Sequence, residues 1–222
     1  MENPIITKAK TLANTDISLD WPHHKVALSI IWGLVLLAVS LVINYLAGTY
    51  ATEQAGSAVR DIILDHIPTM DVDGIFIYGI IAFFVFIAGL LIHRPKRAPF
   101  VLKSLSLFII IRSFFLVLTH IGPAAQTAAF PTNGLMAIFT FTGDLFFSAH
   151  TGLPFLMALV FWQNRWLRIV FLCISILFGV VVLLGHIHYS IDVFSAFFIT
   201  FGIYKIAEKL FKKEFDLINT LK

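Results

Sequence analysis

The 222-residue sequence is short of charge, nearly free of cysteine and without any repeated unit, and each shortage narrows the possibilities. Charged residues make up only 13% of the chain, against 59% hydrophobic residues. Soluble domains ordinarily carry roughly 25% charged residues, so the balance argues against a water-bounded core. The single cysteine, Cys173, excludes a disulfide framework within the chain and a cysteine-rich metal site. The opening MENPIITKAKTLANTDISLDWPHH is polar and lacks the apolar core and cleavage pattern of a secretory signal. Insertion into a membrane is therefore expected to depend on the first apolar run. No low-complexity tract or second domain is evident.

What the chain has in abundance is long apolar runs and phenylalanine, 23 residues of it. Runs at 26–47, 74–92, 100–121, 145–163, 167–185 and about 187–204 approach the length needed to cross about 30 Å of hydrocarbon. Basic residues orient them. Lys8, Lys10 and Lys25 precede the first run. The segment 93–103 holds Arg94, Lys96, Arg97 and Lys103, and 164–168 holds Arg165 and Arg168. Lys205, Lys209, Lys212, Lys213 and Lys222 close the chain. The alternate connections hold only Arg60, so the positive-inside rule puts both termini in the cytoplasm. The expected fold is an all-α integral membrane protein of six transmembrane helices. It comprises a cytoplasmic tail over 1–25, a six-helix membrane domain over 26–208 and a basic cytoplasmic tail over 209–222. The net charge of +3 reflects this topology and calls for no nucleic-acid partner.

With alternate spans running outward and inward, several polar residues gather at the outer ends. Asp144, Ser148, His150 and Thr151 open the fourth span, and His186, His188 and Asp192 open the sixth. His188 and Asp192 are spaced i, i+4 and share a helix face, so the carboxylate can orient the ring. A histidine so held can serve as base, nucleophile or metal ligand. His150 is available as an acid, and helix-start N–H groups with the Ser148 and Thr151 hydroxyls can receive phosphate oxygens. Arg112 is the one fixed cation in the membrane region away from the cytoplasmic face; nine residues past Lys103, it lies roughly 13 Å in and must reach outward. Singly, these residues are ordinary interhelical hydrogen bonders or ion pairs, with Asp61 or Asp65 as partners for Arg112. A metal site of His150, His186, His188 and Asp192 is an alternative, although His186 and His188 diverge on a regular helix. A transporter or lipid-binding protein is another, although the ionisable groups are not spread through the membrane depth as a relay requires. Convergence on one leaflet favours catalysis.

GDLFFSAHT (143–151) and HIHYSIDV (186–193) resemble the two signature motifs of the sphingomyelin synthase and ceramide phosphoethanolamine synthase group. That group is a branch of the type 2 phosphatidic acid phosphatase superfamily. RSFFLVLTHIGP (112–123) and DIILDHIPTMD (61–71) resemble its weaker motifs, so the similarity covers about 26–208. The resemblance implies a lipid phosphotransferase working through a phosphohistidine at His188. Asp192 would support that histidine and His150 would act as acid, then base. Arg112, Asp144, Ser148, Thr151, His186 and Tyr189 would serve phosphate or substrate binding. The implied partners are a phospholipid donor and a lipid alcohol of ceramide or diacylglycerol type, or water in a phosphatase. No metal or cofactor is implied, and a homo-oligomer is compatible with the Phe-rich surface. A bacterial inner membrane with the site facing the periplasm is the expected location. Three departures stand out. Ala149 replaces the usual glycine, Ile187 occupies a position usually acidic, and Val181-Val182 replaces the broader superfamily's Ser-Arg pair. Fewer fixed cations suit a phosphodiester better than a dianionic monoester.

Overall fold

The computed structural model describes residues 21–124 and 145–220. Among them every regular element is helical: α1 (His23–Glu53), α2 (Asp73–His93), α3 (Ala98–Leu118), α4 (Ala149–Val160), α5 (Arg165–Leu184), α6 (Ser190–Leu210) and α7 (Lys212–Thr220). Single 3-10 turns at Leu64–His66 and Pro95–Arg97 connect them. Prolines fall where they do least harm. Pro22 precedes α1, and Pro99 lies in the first turn of α3, where its missing N–H has no helical partner anyway. Pro154, inside α4, is the exception. It lacks the N–H that would bond the carbonyl four residues back, which belongs to His150.

Five helices are long and apolar enough to cross a membrane, α3 counted from Pro95. The fourth apolar run, expected as a span over 145–163, forms only the 12 residues of α4. At about 1.5 Å per residue that is roughly 18 Å, short of a full crossing. Residues 145–148 are irregular, and the helix stops at Phe161 before a turn capped by Asn164. Five candidate spans, not six, are therefore established among the described residues.

The short helix is also the most enclosed. From Thr151 to Val160 only Phe155 escapes full burial, and α4 packs on α5, α6 and α3 with Phe108, Phe147, Phe171 and Phe178 closing round it. A helix hydrophobic on all sides belongs in such a core. The outer helices have an inverted pattern. α1 buries small residues against α3, with Ser29, Gly33, Ser40 and Ala47 along one face, and exposes Leu28, Trp32, Val42 and Leu46. Small faces let membrane helices approach, and a Cβ at Gly33 would sit 2.9 Å from Leu102 Cβ. Such apolar outer faces fit a multi-pass membrane protein.

At the end where basic residues collect, Lys103 pairs with Glu214 and donates to Ser29 Oγ, joining α3, α7 and α1. The segment expected as a basic tail from 209 thus includes a helix held to the bundle, with Leu217 and Ile218 buried.

Candidate functional site

The opposite end of the bundle carries the polar cluster, and the turn between α5 and α6 sets it up. α5 ends in a Schellman arrangement: Ile187 N–H donates to Val182 O at 2.9 Å and His186 N–H to Leu183 O at 3.0 Å. Its left-handed residue is His186, φ 51°, where glycine is the usual occupant. The His186 ring compensates by contacting the connection after α1, Nε2 at 3.2 Å from Ile67 O and Nδ1 at 3.3 Å from Thr69 Oγ1. Ile187 supplies the apolar contact such a turn favours, buried with Val72, Phe76, Val181 and Val182. An acid there would be buried without a partner (a local reason for the departure from the motif).

The reversal delivers His188 to the segment leading into α4. Its Nδ1 lies 2.8 Å from Leu145 O and 3.6 Å from Asp192 Oδ2. A carbonyl only accepts, so Nδ1 carries the proton in the neutral ring and Nε2 keeps its lone pair. The nearest acceptor for His188 is thus a backbone carbonyl rather than Asp192. The carboxylate is engaged in its own helix start, accepting from Tyr189 N–H at 3.0 Å. It remains close enough to stabilise positive charge on the ring. Both groups are buried, 4% and 1% exposed.

Residues 145–148 join the remaining parts. Arg112 Nε donates to Phe147 O at 2.8 Å, and Ser148 N–H donates to Asp192 O at 3.1 Å. Ser148 Oγ caps α4 by accepting from Thr151 N–H at 3.4 Å, and the Thr151 hydroxyl also reaches it, at 3.3 Å. One link therefore meets α3 through Arg112, α6 through Asp192 and the α5–α6 turn through His188. His150 projects from the first turn of α4 between two aromatic rings, stacked on Phe76 at 4.1 Å and edge-on to Phe178 at 5.8 Å. Its buried Nε2 has no hydrogen-bond partner among the described residues. His188 and Arg112 are near enough to act on it electrostatically.

Asp61 fastens this assembly from outside. Its Oδ1 accepts from Ile63 N–H (2.8 Å) and Leu64 N–H (3.1 Å). Its Oδ2 accepts from Ser190 N–H (2.7 Å) and Ser190 Oγ (2.8 Å), at the first residue of α6. Burial alone would raise this carboxyl. The bonds from the Ser190 side chain, Leu64, Ile63 and Ser190 N–H outweigh it and hold the group below the usual carboxylate range. Arg60 takes the other nearby acid, Asp65, in an exposed pair. Tyr189 is directed into the same loops, donating to Gly122 O at 2.8 Å and accepting from Val59 N–H at 3.2 Å. Gly122 is required there, because a Cβ would lie 2.1 Å from Gly56 O.

The structure thus gathers His150, His188, Asp192 and Arg112, with Ser148 and Thr151 in the supporting turn. His186 and Tyr189 serve the outer connections, and Asp144 lies outside the described residues. No group of three or more His, Cys, Asp or Glu forms a metal-binding cluster among the described residues. The Leu145 and Phe147 carbonyls escape a reading of side-chain types. Phe76 gives no signal beyond apolar periodicity. Asp61 was visible only within a weak motif and as a candidate partner for Arg112.

Residues 142–209, which contain α4, α5 and all but the last residue of α6, match the family model described as PAP2 superfamily C-terminal. The match supports membership of the type 2 phosphatidic acid phosphatase superfamily, whose members are phosphatases or phosphotransferases. No curated protein and no solved structure matches.

Proposed function

We propose that this protein is a membrane lipid phosphotransferase, similar to the sphingomyelin synthase group, acting through a phosphohistidine on the outer face. The observation that carries the reading is His188: its Nδ1 proton is committed to the Leu145 carbonyl, which presents Nε2 as a nucleophile. In the first step the Nε2 lone pair forms the N–P bond while the P–O bond to the departing lipid breaks. His150, protonated once the anionic phosphodiester lies beside it, gives its Nε2 proton to that oxygen. The phosphohistidine ring is cationic, with Asp192 Oδ2 3.6 Å from Nδ1 to balance it. In the second step His150, now neutral, takes the proton of an acceptor hydroxyl whose oxygen bonds phosphorus as N–P breaks. Arg112 supplies fixed positive charge to the phosphoryl oxygens, and α4 offers N–H groups at its start.

The acceptor is a lipid alcohol of ceramide or diacylglycerol type, and the donor a phospholipid. In this reading α4 and the segment before it take the fourth position in the membrane, both termini are cytoplasmic, and the site faces the periplasm of a bacterial inner membrane. The wider family match favours a second reading in which the same residues hydrolyse a lipid phosphate, water being the acceptor.

The test uses purified full chain and a headgroup-labelled glycerophospholipid, with and without a lipid alcohol. Transfer predicts labelled product only when the alcohol is present; release of free phosphate or headgroup phosphate alone rejects it. His188→Ala is expected to cut turnover by at least about 10³-fold with the helices intact. An unchanged rate removes the nucleophile assignment.

A further inference from the structure

At the end of the bundle away from His150 and His188 lies a cavity of about 300 Å³. It is bounded by the 3-10 turn before α3, the α4–α5 turn and α7. Arg97 lines it and is only 8% exposed. Its guanidinium lies over the Phe161 ring, 5.5 Å from the centroid. It has no hydrogen-bond or ion-pair partner among the described residues. The nearest comparable cation at this end, the half-buried Lys103, is paired with Glu214. A buried cation without an anion is costly, and an arginine near a membrane surface ordinarily extends its head into water instead.

The surroundings of Arg97 are suited to a phosphate. Gln163 and Asn164 line the same cavity, as does Asn219, whose NH₂ already donates to Phe215 O at 3.1 Å. The Asn164 Oδ1 is occupied by Leu167 N–H at 3.0 Å, so its remaining hydrogen-bonding capacity is the donor NH₂. No Asp or Glu lines the space, whereas Phe161 and Ile218 give it an apolar wall. A planar guanidinium with amide donors matches phosphate oxygens, and the wall matches the glycerol and first methylenes of a lipid.

We propose that this cavity binds a phosphate group, that of an anionic phospholipid in the leaflet facing the basic end, with Arg97 as its principal ligand. The site is separate from the catalytic cluster and does not depend on its chemistry. Peptide-resolved hydrogen exchange on the purified full chain locates binding, which separates this site from phospholipid held at the outer one. The probes are dihexanoyl phosphatidic acid, inorganic phosphate and dihexanoyl glycerol. Phosphatidic acid is expected to slow exchange over 161–168 and 214–220, and phosphate-free dihexanoyl glycerol is not. Slowing by inorganic phosphate as well means the phosphate alone suffices; slowing by the lipid only assigns the site to a headgroup. Arg97→Gln is expected to raise the half-saturating concentration at least about tenfold, as for loss of a charge-assisted hydrogen bond. Arg97→Lys should retain part of the response, and Arg94→Gln, one turn away and exposed, all of it. Unchanged exchange in α3 and α6 verifies the fold of each variant. The proposal fails if neither anion protects these segments, if dihexanoyl glycerol protects equally, or if Arg94→Gln weakens binding as much as Arg97→Gln.

Discussion

Replacing Asp61 by asparagine tests how His188, the proposed nucleophile, is held without touching it. The carboxylate accepts four hydrogen bonds, two from its own loop and two from Ser190. Asparagine has one acceptor oxygen, so it can serve the Ile63 and Leu64 N–H groups or the Ser190 end, not both. With its oxygen toward the loop, the Ser190 hydroxyl can turn and accept from the new NH₂. The Ser190 N–H cannot, and it is left facing a donor. One unmade charge-assisted bond and three weakened ones amount to roughly 2–3 kcal/mol. For a chain of this length that is a fall in Tm of roughly 4–12 °C. Ser190 follows His188 by two residues, so the same change lets the ring drift from Leu145 O, and turnover should fall with KM little altered.

The assay is thermal unfolding in detergent from pH 7 downward, beside turnover at pH 7. The Asp61 carboxyl titrates below its unfolded value of about 3.9. Its stabilisation is therefore complete above that value and is lost as pH falls through the folded pKa. The gap between wild type and Asp61→Asn should be constant near neutrality and narrow below about pH 4, where the wild-type group also becomes neutral. In a double-mutant cycle Ser190→Ala should couple to it by about 1 kcal/mol. Equal Tm values at pH 7, or a gap that persists in strong acid, would refute the reasoning. A lower Tm with unchanged turnover would leave Asp61 as a fastener with no bearing on His188.

Three further changes address the rest of the cluster. His150→Gln removes the proton carrier while filling much the same space between Phe76 and Phe178, and turnover should drop about 10²–10⁴-fold. A substrate whose leaving group needs no proton should recover most of that loss, and equal losses on both substrates would count against His150 as the acid. Arg112→Lys keeps a charge but forfeits the planar fork that can meet Phe147 O and, in the proposed mechanism, phosphate as well; a loss of about 10²-fold in turnover is expected, and wild-type rates would exclude Arg112 from the site. Gly152→Ala would bring a Cβ within 2.8 Å of Phe108 Cζ and 2.9 Å of Thr200 Oγ1 in the fully packed core, costing about 1–3 kcal/mol in thermal unfolding. An unaltered midpoint would mean that α4 is packed less tightly than it looks.

Much of this architecture is legible in the sequence because lipid imposes a simple rule: a spanning segment must be helical and apolar. That is why the runs at 74–92 and 167–185 lie within a residue or two of α2 and α5. The fourth run misleads for the same reason. Hydropathy reports how apolar a segment is but not what surrounds it, and α4 is apolar because protein encloses it on nearly every side. A helix buried in this way need not be as long as the membrane is thick. The candidate site divides along a similar line. Side-chain chemistry marks His150, His188, Asp192 and Arg112, since ionisable groups in apolar runs are conspicuous. The groups that aim His188 and Arg112 are the carbonyls of Leu145 and Phe147, and a backbone acceptor has no letter of its own in a sequence.

That difference bears on how the site works. The spacing of His188 and Asp192 invites a dyad in which the carboxylate fixes the ring, yet the carboxylate is held by the Tyr189 N–H and the ring by Leu145 O. A carbonyl orients a neutral imidazole without adding a full charge, so Nε2 gains less basicity than a carboxylate partner would give it. Asp192, slightly farther off, gains most when the ring becomes cationic. In the proposed mechanism, a carboxylate placed to favour the charged ring over the neutral one would stabilise the phosphohistidine more than the resting enzyme. Two-step transfer needs that ordering, because an intermediate that survives long enough to meet an alcohol at the membrane surface can be passed to it instead of to water.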